Sequence, residues 1–448
     1  MKKRIIFFFT FCVIFSLHSL GKNYFVATTG NDTTGTGSIT SPFATIMKAQ
    51  TFVEAGDTVF IRGGNYIMTE NQIAKKAGIW ASVHLLDKSG TSLNRINYWA
   101  YPGERPVFDF SNIKPDDYRI MAFNVTGSWL YLKGLEVIGT QVTIKTHTQS
   151  ECFHNEGSNN IFEQLSMHDG QAIGFYLTKG SNNLILNCDA YRNYDFTSEN
   201  GKGGNTDGFG CHPFSGGTGN VFRGCRAWFN SDDGYDCIHA AESVMFDHCW
   251  AFYNGYSTTF QSLGDGNGFK AGGWGATPLS KIPATIPRHT VQFCLAVRNK
   301  VNGFYSNHQP GGSFWYNNTA FQNAVNFNML NRLSDNKTDV PGYHHVMKNN
   351  LSVNPVKNDT ANINNKTCDI SFNSFTLYLN VSDSDFISTD QSFLTSPRNA
   401  DGSLPDIDFL KLNAGSGLID KGVDIGFPFA CTAPDLGAFE YQKNAKIN

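Results

Sequence analysis

The chain has 448 residues, a formal net charge of −3, 44 glycines, 37 phenylalanines and 17 tyrosines. That length allows one large or two ordinary domains, and the composition suits short strands and tight turns rather than long helices. A slightly acidic chain without a basic run excludes nucleic acid as a natural partner, and its body holds no apolar run of membrane-spanning length.

Residues 1–21 read as a secretory signal. Lys2, Lys3 and Arg4 form a charged start, Ile5 to Leu17 is apolar, and Ser19 and Gly21 are small residues at the spacing a signal peptidase needs. The expectation is cleavage after Gly21, one catalytic domain over 22–448, and export across the inner membrane to periplasm, cell surface or medium. Of ten cysteines, Cys12 lies in this leader, which leaves an odd number in an oxidising compartment. Their spacing suggests stacking in a core rather than a disulfide framework.

SPFATIMKAQTFVEAG predicts a helix with Ser41 as N-cap, Pro42 in the first turn, Ile46, Ala49 and Val53 on one face, and Gly56 as stop. It precedes the strand DTVFIRGGNY and is expected to cover the exposed N-terminal end of a repetitive body. Weak copies of the repeat (YLKGLEVIG, IFEQLSMHDG) lead into LILNCDAYRN, VFRGCRAWFN, VMFDHCWAFYN, VQFCLAVRN and FWYNNTAFQN, and HHVMKNNLSVN continues it. Cys188, Cys225, Cys249, Cys294 and Asn318 share one column. Asn193, Asn230, Asn254, Asn299 and Asn323 share another, as expected of stacked amides at one turn. Short β-type repeats of this kind predict an all-β fold, a parallel β-helix, in which each coil buries its apolar face only by stacking on the next. Helical-repeat solenoids fail because the segments are β-branched and aromatic, punctuated by Gly, Asn and Asp. Long connections near 195–206, 255–267 and 274–290 are expected as surface loops.

A second motif recurs in each coil as IGFYL, DGFGC, DGYDC, NGFKA and NGFYS. The aromatic after Gly174, Gly208, Gly234, Gly268 and Gly303 is a core column. The residue two after each Gly then points outward: Tyr176, Gly210, Asp236, Lys270 and Tyr305. Asp207 and Asp233 stand one before the Gly on neighbouring coils. With strands ~4.8 Å apart and calcium–oxygen distances of ~2.3–2.6 Å, one Ca2+ fits between them, and Asp232 and Asp236 complete an oxygen-rich shell. An all-carboxylate set suits a hard cation rather than zinc. Strict alternation sends Asp207 and Asp233 inward, where unpaired carboxylates are too costly, so a bend is expected at Gly208 and Gly234. Lys270 lies above Asp236 in the outward column, placed to act as a base beside the cation.

NTDGFG, NSDDGYDC and NGFKAGG in this order resemble the family-nine polysaccharide lyases, the pectate-lyase-like enzymes on a right-handed parallel β-helix. The resemblance runs from FVATTGND to DLGAFEY. It implies a calcium site of Asp207, Asp232, Asp233 and Asp236, with Lys270 as Brønsted base. It also implies β-elimination on anionic pectic polysaccharide, either homogalacturonan or the rhamnogalacturonan I backbone, leaving 4,5-unsaturated uronate ends. Arg298, Asn302, Tyr305, His212 and His308 are expected along the substrate cleft, and the chain is expected to be a monomer. Two other readings stand beside this one. An inverting polygalacturonase-like hydrolase shares NTD and a later DD, but lacks a use for Lys270, and its GHG and RIK strings do not occur. A non-catalytic carbohydrate-binding β-helix leaves four convergent carboxylates without a role.

Overall fold

Strand after strand pairs with its equivalent one coil later in the computed structural model, which describes residues 21–275 and 277–442. Apart from Gly21, the leader read over residues 1–21 lies outside the described residues. Three long sheets of 12, 10 and 11 strands result. Leu184–Leu186, Asn220–Arg223 and Val244–Asp247 belong to the first, Asp189–Tyr191, Arg226–Trp228 and Trp250–Phe252 to the second. The third holds Ile173–Leu177, Phe209–Cys211, Tyr235–Asp236, Phe269–Lys270 and Asn302–Tyr305. Pairing within these sheets is parallel except where Lys75–Ala77 runs antiparallel to Trp80–Leu86. This is the parallel β-helix that the repeat predicts.

The inward columns explain why short strands hold. Phe209, Tyr235, Phe269, Phe304 and Phe327 stack in line, with centroid spacings of 4.9, 4.6, 5.2 and 5.0 Å. Stacked pairs of this kind add ~0.5–1.5 kcal/mol each beyond their area burial. Cys188, Cys225, Cys249 and Cys294 are buried free thiols in the neighbouring column. At the turn between the second and third sheets, Asn193, Asn230, Asn254, Asn299 and Asn323 form an amide ladder. Each Nδ2 donates to the next Oδ1, at 3.1, 3.1, 3.0 and 3.0 Å. The same turns hold a column of left-handed residues, among them Phe229, Tyr253 and Arg298. These strained positions persist because the stacked coils on either side determine them.

The N-terminal helix needs correction. It is a five-residue helix, α1 (Ile46–Gln50), and its N-cap is Thr45, not Ser41. Asp32 is the reason. Its carboxylate accepts from the amides of Ala44 and Thr45 at 2.7 and 3.1 Å and from the Thr45 hydroxyl at 2.7 Å. That holds the chain extended up to Thr45, while Ser41 is drawn into a bridge with Ser38. Ile46, Ala49 and Val53 are buried. At the other end, a C-terminal segment including Leu394, Phe409 and Leu418 packs on the second sheet through a separate apolar cluster. Arg226 and Arg398 clamp this segment by sharing the carboxylate of Asp189 at 2.8 and 2.6 Å.

Candidate functional site

One outward column of the third sheet runs His154, Tyr176, Gly210, Asp236, Lys270, Tyr305, in paired register throughout. Just before these strands begin, Asp207 and Asp233 sit in the turns, and the glycines next to them decide where they point. A Cβ on Gly208 would meet the Cβ of Ala227 at 2.7 Å and Nδ2 of Asn230 at 2.9 Å. On Gly234 it would meet the Gly268 carbonyl at 2.7 Å and Nδ2 of Asn254 at 2.9 Å. Each glycine therefore turns its missing side chain to the interior beside an inward aromatic. Two successive inward positions break the alternation, and the aspartate before them is left on the other side.

Carboxylate oxygens of Asp207, Asp232 and Asp233 all lie within 4.8 Å of one another, and the residues are 2, 6 and 0 % exposed. Backbone donors fix their orientation. The Asp233 amide donates to Asp207 Oδ1 at 3.1 Å, and the Asp265 amide to Asp232 Oδ1 at 2.7 Å. Asn267 donates twice to Asp233 Oδ1, from its backbone at 2.6 Å and its side chain at 2.8 Å. Asp233 Oδ2 accepts no hydrogen bond although it is fully buried. Lys270 Nζ lies 3.1 Å from it, outside hydrogen-bonding alignment, so that contact is Coulombic. Lys270 Nζ instead donates to Asp236 Oδ2 at 3.1 Å, while Asp236 Oδ1 takes the Ile238 amide at 2.7 Å. Asp207, Asp232 and Asp233 thus form the oxygen cluster, and Asp236 holds the lysine.

The electrostatics reflect this crowding. Burial, then repulsion among the neighbouring aspartates, raises the Asp207 carboxyl well above the ordinary range. Burial and Asp233 do the same to Asp232, and burial also raises Asp233, against the pull of Lys270. Burial disfavours the charged form of Lys270, but Asp236, Asp233, Asp232 and Asp207 outweigh it and push the ammonium well above its usual value. Three buried carboxylates, one with an oxygen lacking a hydrogen bond, make a donor set that fits a hard divalent cation.

The remaining predicted residues divide. Asn302 is buried in the column of Asp207 and Asp233, and its Nδ2 donates to Asn267 Oδ1 at 2.7 Å. Tyr305 flanks Lys270, and burial raises its phenol to about 12. His212 packs 4.9 Å from the Tyr176 ring, and its Nδ1 lies 2.6 Å from the Ile238 carbonyl. Only a protonated Nδ1 can donate there, so Nε2 is a free acceptor beside Gly210 on the outward face. His308 pairs with Asp339 at 3.2 Å, at the margin. Arg298 is not brought to the cluster. It is exposed on a left-handed turn, its guanidinium 4.1 Å over the Phe260 ring. Asn267, which grips Asp233, is a site residue that the motif reading passes over. Its signal is its place one before Gly268, in the same column as both aspartates.

Comparison with known proteins gives a consistent picture. A family model described as a Pel9A-like, right handed beta helix region matches residues 24–350. Pectate lyase L of Dickeya dadantii is 33% identical over 424 residues, covering 93% of this chain and 90% of that protein. Pectate lyase PEL9 of Emericella nidulans is 28% identical over 415 residues, covering 87% and 92%. Among solved structures, a rhamnogalacturonan lyase superposes with a TM-score of 0.84 at 48% identity, covering 88% of this chain and 97% of that one. Pectate lyase Pel9A superposes with a TM-score of 0.77 at 32% identity, covering 95% and 97%.

Proposed function

This chain belongs to the Pel9A-like right-handed β-helix family of polysaccharide lyases, and from that premise we propose that it cleaves pectic polysaccharide by calcium-dependent β-elimination with Lys270 as base. The observation that carries the reading is the buried carboxylate trio set against a buried lysine on one outward face. Asp207, Asp232 and Asp233 would hold the ion, with Asp236 at its edge. Bound there, calcium would neutralise the carboxylates that otherwise stabilise the ammonium, and would polarise a uronate carboxylate so that its C5 proton becomes acidic.

The chain's own residues do the rest. Neutral Lys270 Nζ takes the C5 proton, the electron pair forms the C4–C5 double bond, and the C4–O bond breaks, its pair leaving with the glycosidic oxygen, which takes a proton from water. Asp236 keeps Nζ pointed along the outward column, and receives the charge when Nζ becomes ammonium. Tyr305 and Tyr176 wall the column on either side, and His212 Nε2 offers an acceptor to a sugar hydroxyl. No helix among the described residues is long and apolar enough to cross a membrane. A polymeric substrate agrees with export by the signal read over residues 1–21.

The experiment is incubation with homogalacturonan and with rhamnogalacturonan I, each with and without a calcium chelator. Ultraviolet absorbance from an unsaturated uronate should grow, and should vanish with chelator and in Lys270→Ala. Reducing ends without that absorbance would instead indicate hydrolysis, and no product from either polymer would overturn the enzymatic reading.

A further inference from the structure

Between the ladder rung Asn254 and the strand Phe269–Lys270 the chain leaves the solenoid as a closed lobe, and Lys300 fastens its neck. Gly255 and Gly266 meet there with φ of +78° and +80°. A Cβ on Gly266 would lie 2.6 Å from the Gly255 Cα and 2.7 Å from the Lys300 Cβ. Tyr256 bridges Ser262, and the Leu263 amide donates to the Gly255 carbonyl at 2.9 Å. The stem of Lys300, one residue beyond the Asn299 rung, lies across this neck. Its backbone amide donates to the Asn254 carbonyl at 3.1 Å, and the Val301 amide to the Gly266 carbonyl at 2.9 Å. With its backbone held this way, Lys300 sends Nζ into the lobe, where it donates to the carbonyls of Leu263, at 2.8 Å, and Gly264.

The second of those carbonyls leads to the carboxylate cluster. The Gly264 C=O and the Asp265 N–H are opposite ends of one planar peptide unit. That N–H donates to Asp232 Oδ1 at 2.7 Å, and among the described residues it is the only hydrogen-bond donor to the Asp232 carboxylate. The unit is tightly seated. A Cβ on Gly264 would meet the carbonyl oxygens of Ser231 and Gly203 at 2.6 and 2.7 Å, and Asp232 Oδ1 at 3.1 Å. The Asp265 side chain is exposed and lies outside the oxygen cluster, and its charge opposes ionisation of Asp232, so this position contributes its N–H. Ammonium, carbonyl, N–H and carboxylate stand in series, with the peptide dipole directed to favour both charges. Each hydrogen bond polarises the other. Because the unit is planar, fixing the carbonyl also fixes the direction of the N–H.

We propose that Lys300 is a positioning residue for the metal site: acting through the Gly264–Asp265 peptide, it orients Asp232 to receive calcium. The proposal rests on the reading of Asp232 as a calcium ligand. Lys300 acts only through that peptide, so its loss should change how tightly calcium is held and leave the chemistry intact once calcium is bound. A lysine that served only to keep the lobe folded would behave differently, lowering the melting temperature without calcium and the rate at every calcium concentration.

The test uses the full chain and Lys300→Met, which keeps the stem and removes the donor, with calcium alone as the calorimetric probe. The calcium dissociation constant should rise about tenfold, the lower end for an outer partner of a metal ligand. On pectic polymer, the calcium concentration giving half the maximal rate should rise by the same factor, while kcat at saturating calcium stays near the parent's. Unchanged calcium affinity in a variant that melts like its parent would refute the proposal. So would a fall in kcat that excess calcium does not restore. A measurement on the unsubstituted protein covers the case of a variant that does not fold. In chelator, the Asp265 amide should be protected from hydrogen exchange although its side chain is exposed, and exchange at the rate of an open loop would refute the relay. A parent that binds no calcium would overturn the assignment of the site itself, whereas a parent that binds it beside an unchanged variant would overturn only the role of Lys300.

Discussion

Replacing Asn267 by alanine isolates how the carboxylate cluster is held. The substitution removes the 2.8 Å side-chain bond to Asp233 Oδ1 but keeps the 2.6 Å bond from the backbone amide. It also strips Asn302 Nδ2 of its acceptor, 2.7 Å away. A hydrogen bond to a charged group is worth ~1.5–3 kcal/mol, and loss of an outer partner of a metal ligand lowers affinity ~10–100-fold. With one of two donors retained, the lower end applies. The calcium dissociation constant should rise about tenfold, or ~1.4 kcal/mol. Stability to denaturant should fall by ~1–2 kcal/mol, from the unpaired buried amide of Asn302. Calcium titration by calorimetry and urea unfolding measure the two effects on one preparation. Calcium affinity unchanged within twofold, alongside the expected loss of stability, would refute Asp233 as a ligand oriented by Asn267.

Lys270→Ala should lower kcat by ~10²–10⁴ while KM changes little, and a rise confined to KM would make Lys270 a binding residue rather than the base. Asn254→Ala removes the side chain that bonds Asn230, Ala227 and Asn299, and should cost ~3–4 kcal/mol in urea unfolding; a loss below ~1 kcal/mol would mean that the ladder contributes little. His84 and His289 are held by burial at about 4, against 6.5 in an unfolded chain. Their folded pKa values are depressed, so the unfolded chain takes up protons first on acidification. The stability they support is complete above about 6.5 and lost as pH falls towards 4. The urea midpoint should decline across that window, and less steeply in His84→Phe.

Much of the site is legible because a parallel β-helix turns sequence spacing into spatial register. Asp236 and Lys270 share an offset from glycine, and they pair strand to strand. The same rule exposes Asn267, which was hidden only because an amide does not look like chemistry until its partner is known. Where backbone geometry departs from the repeat, spacing fails. Arg298 adjoins the amide ladder in sequence, yet its left-handed conformation sends it round the turn, away from the acids. Non-glycine residues in that conformation, such as Phe229 and Tyr253, carry no composition signal at all. The shortened helix reflects a distant side chain, Asp32, overriding a local N-cap pattern.

The amide ladder spans chain separations of 37, 24, 45 and 24 residues between successive rungs. Its pitch takes no notice of how much chain is looped out between them. The ladder therefore acts as an indexing device: each coil is clicked back into phase whatever excursion preceded it. The excursions between rungs can lengthen or shorten while the pairing of the Asp236 and Lys270 strands stays set. Loop exchange and catalytic alignment are thereby separable where an excursion carries no site residue, and coupled at 255–267, where Asp265 and Asn267 hold Asp232 and Asp233 in place.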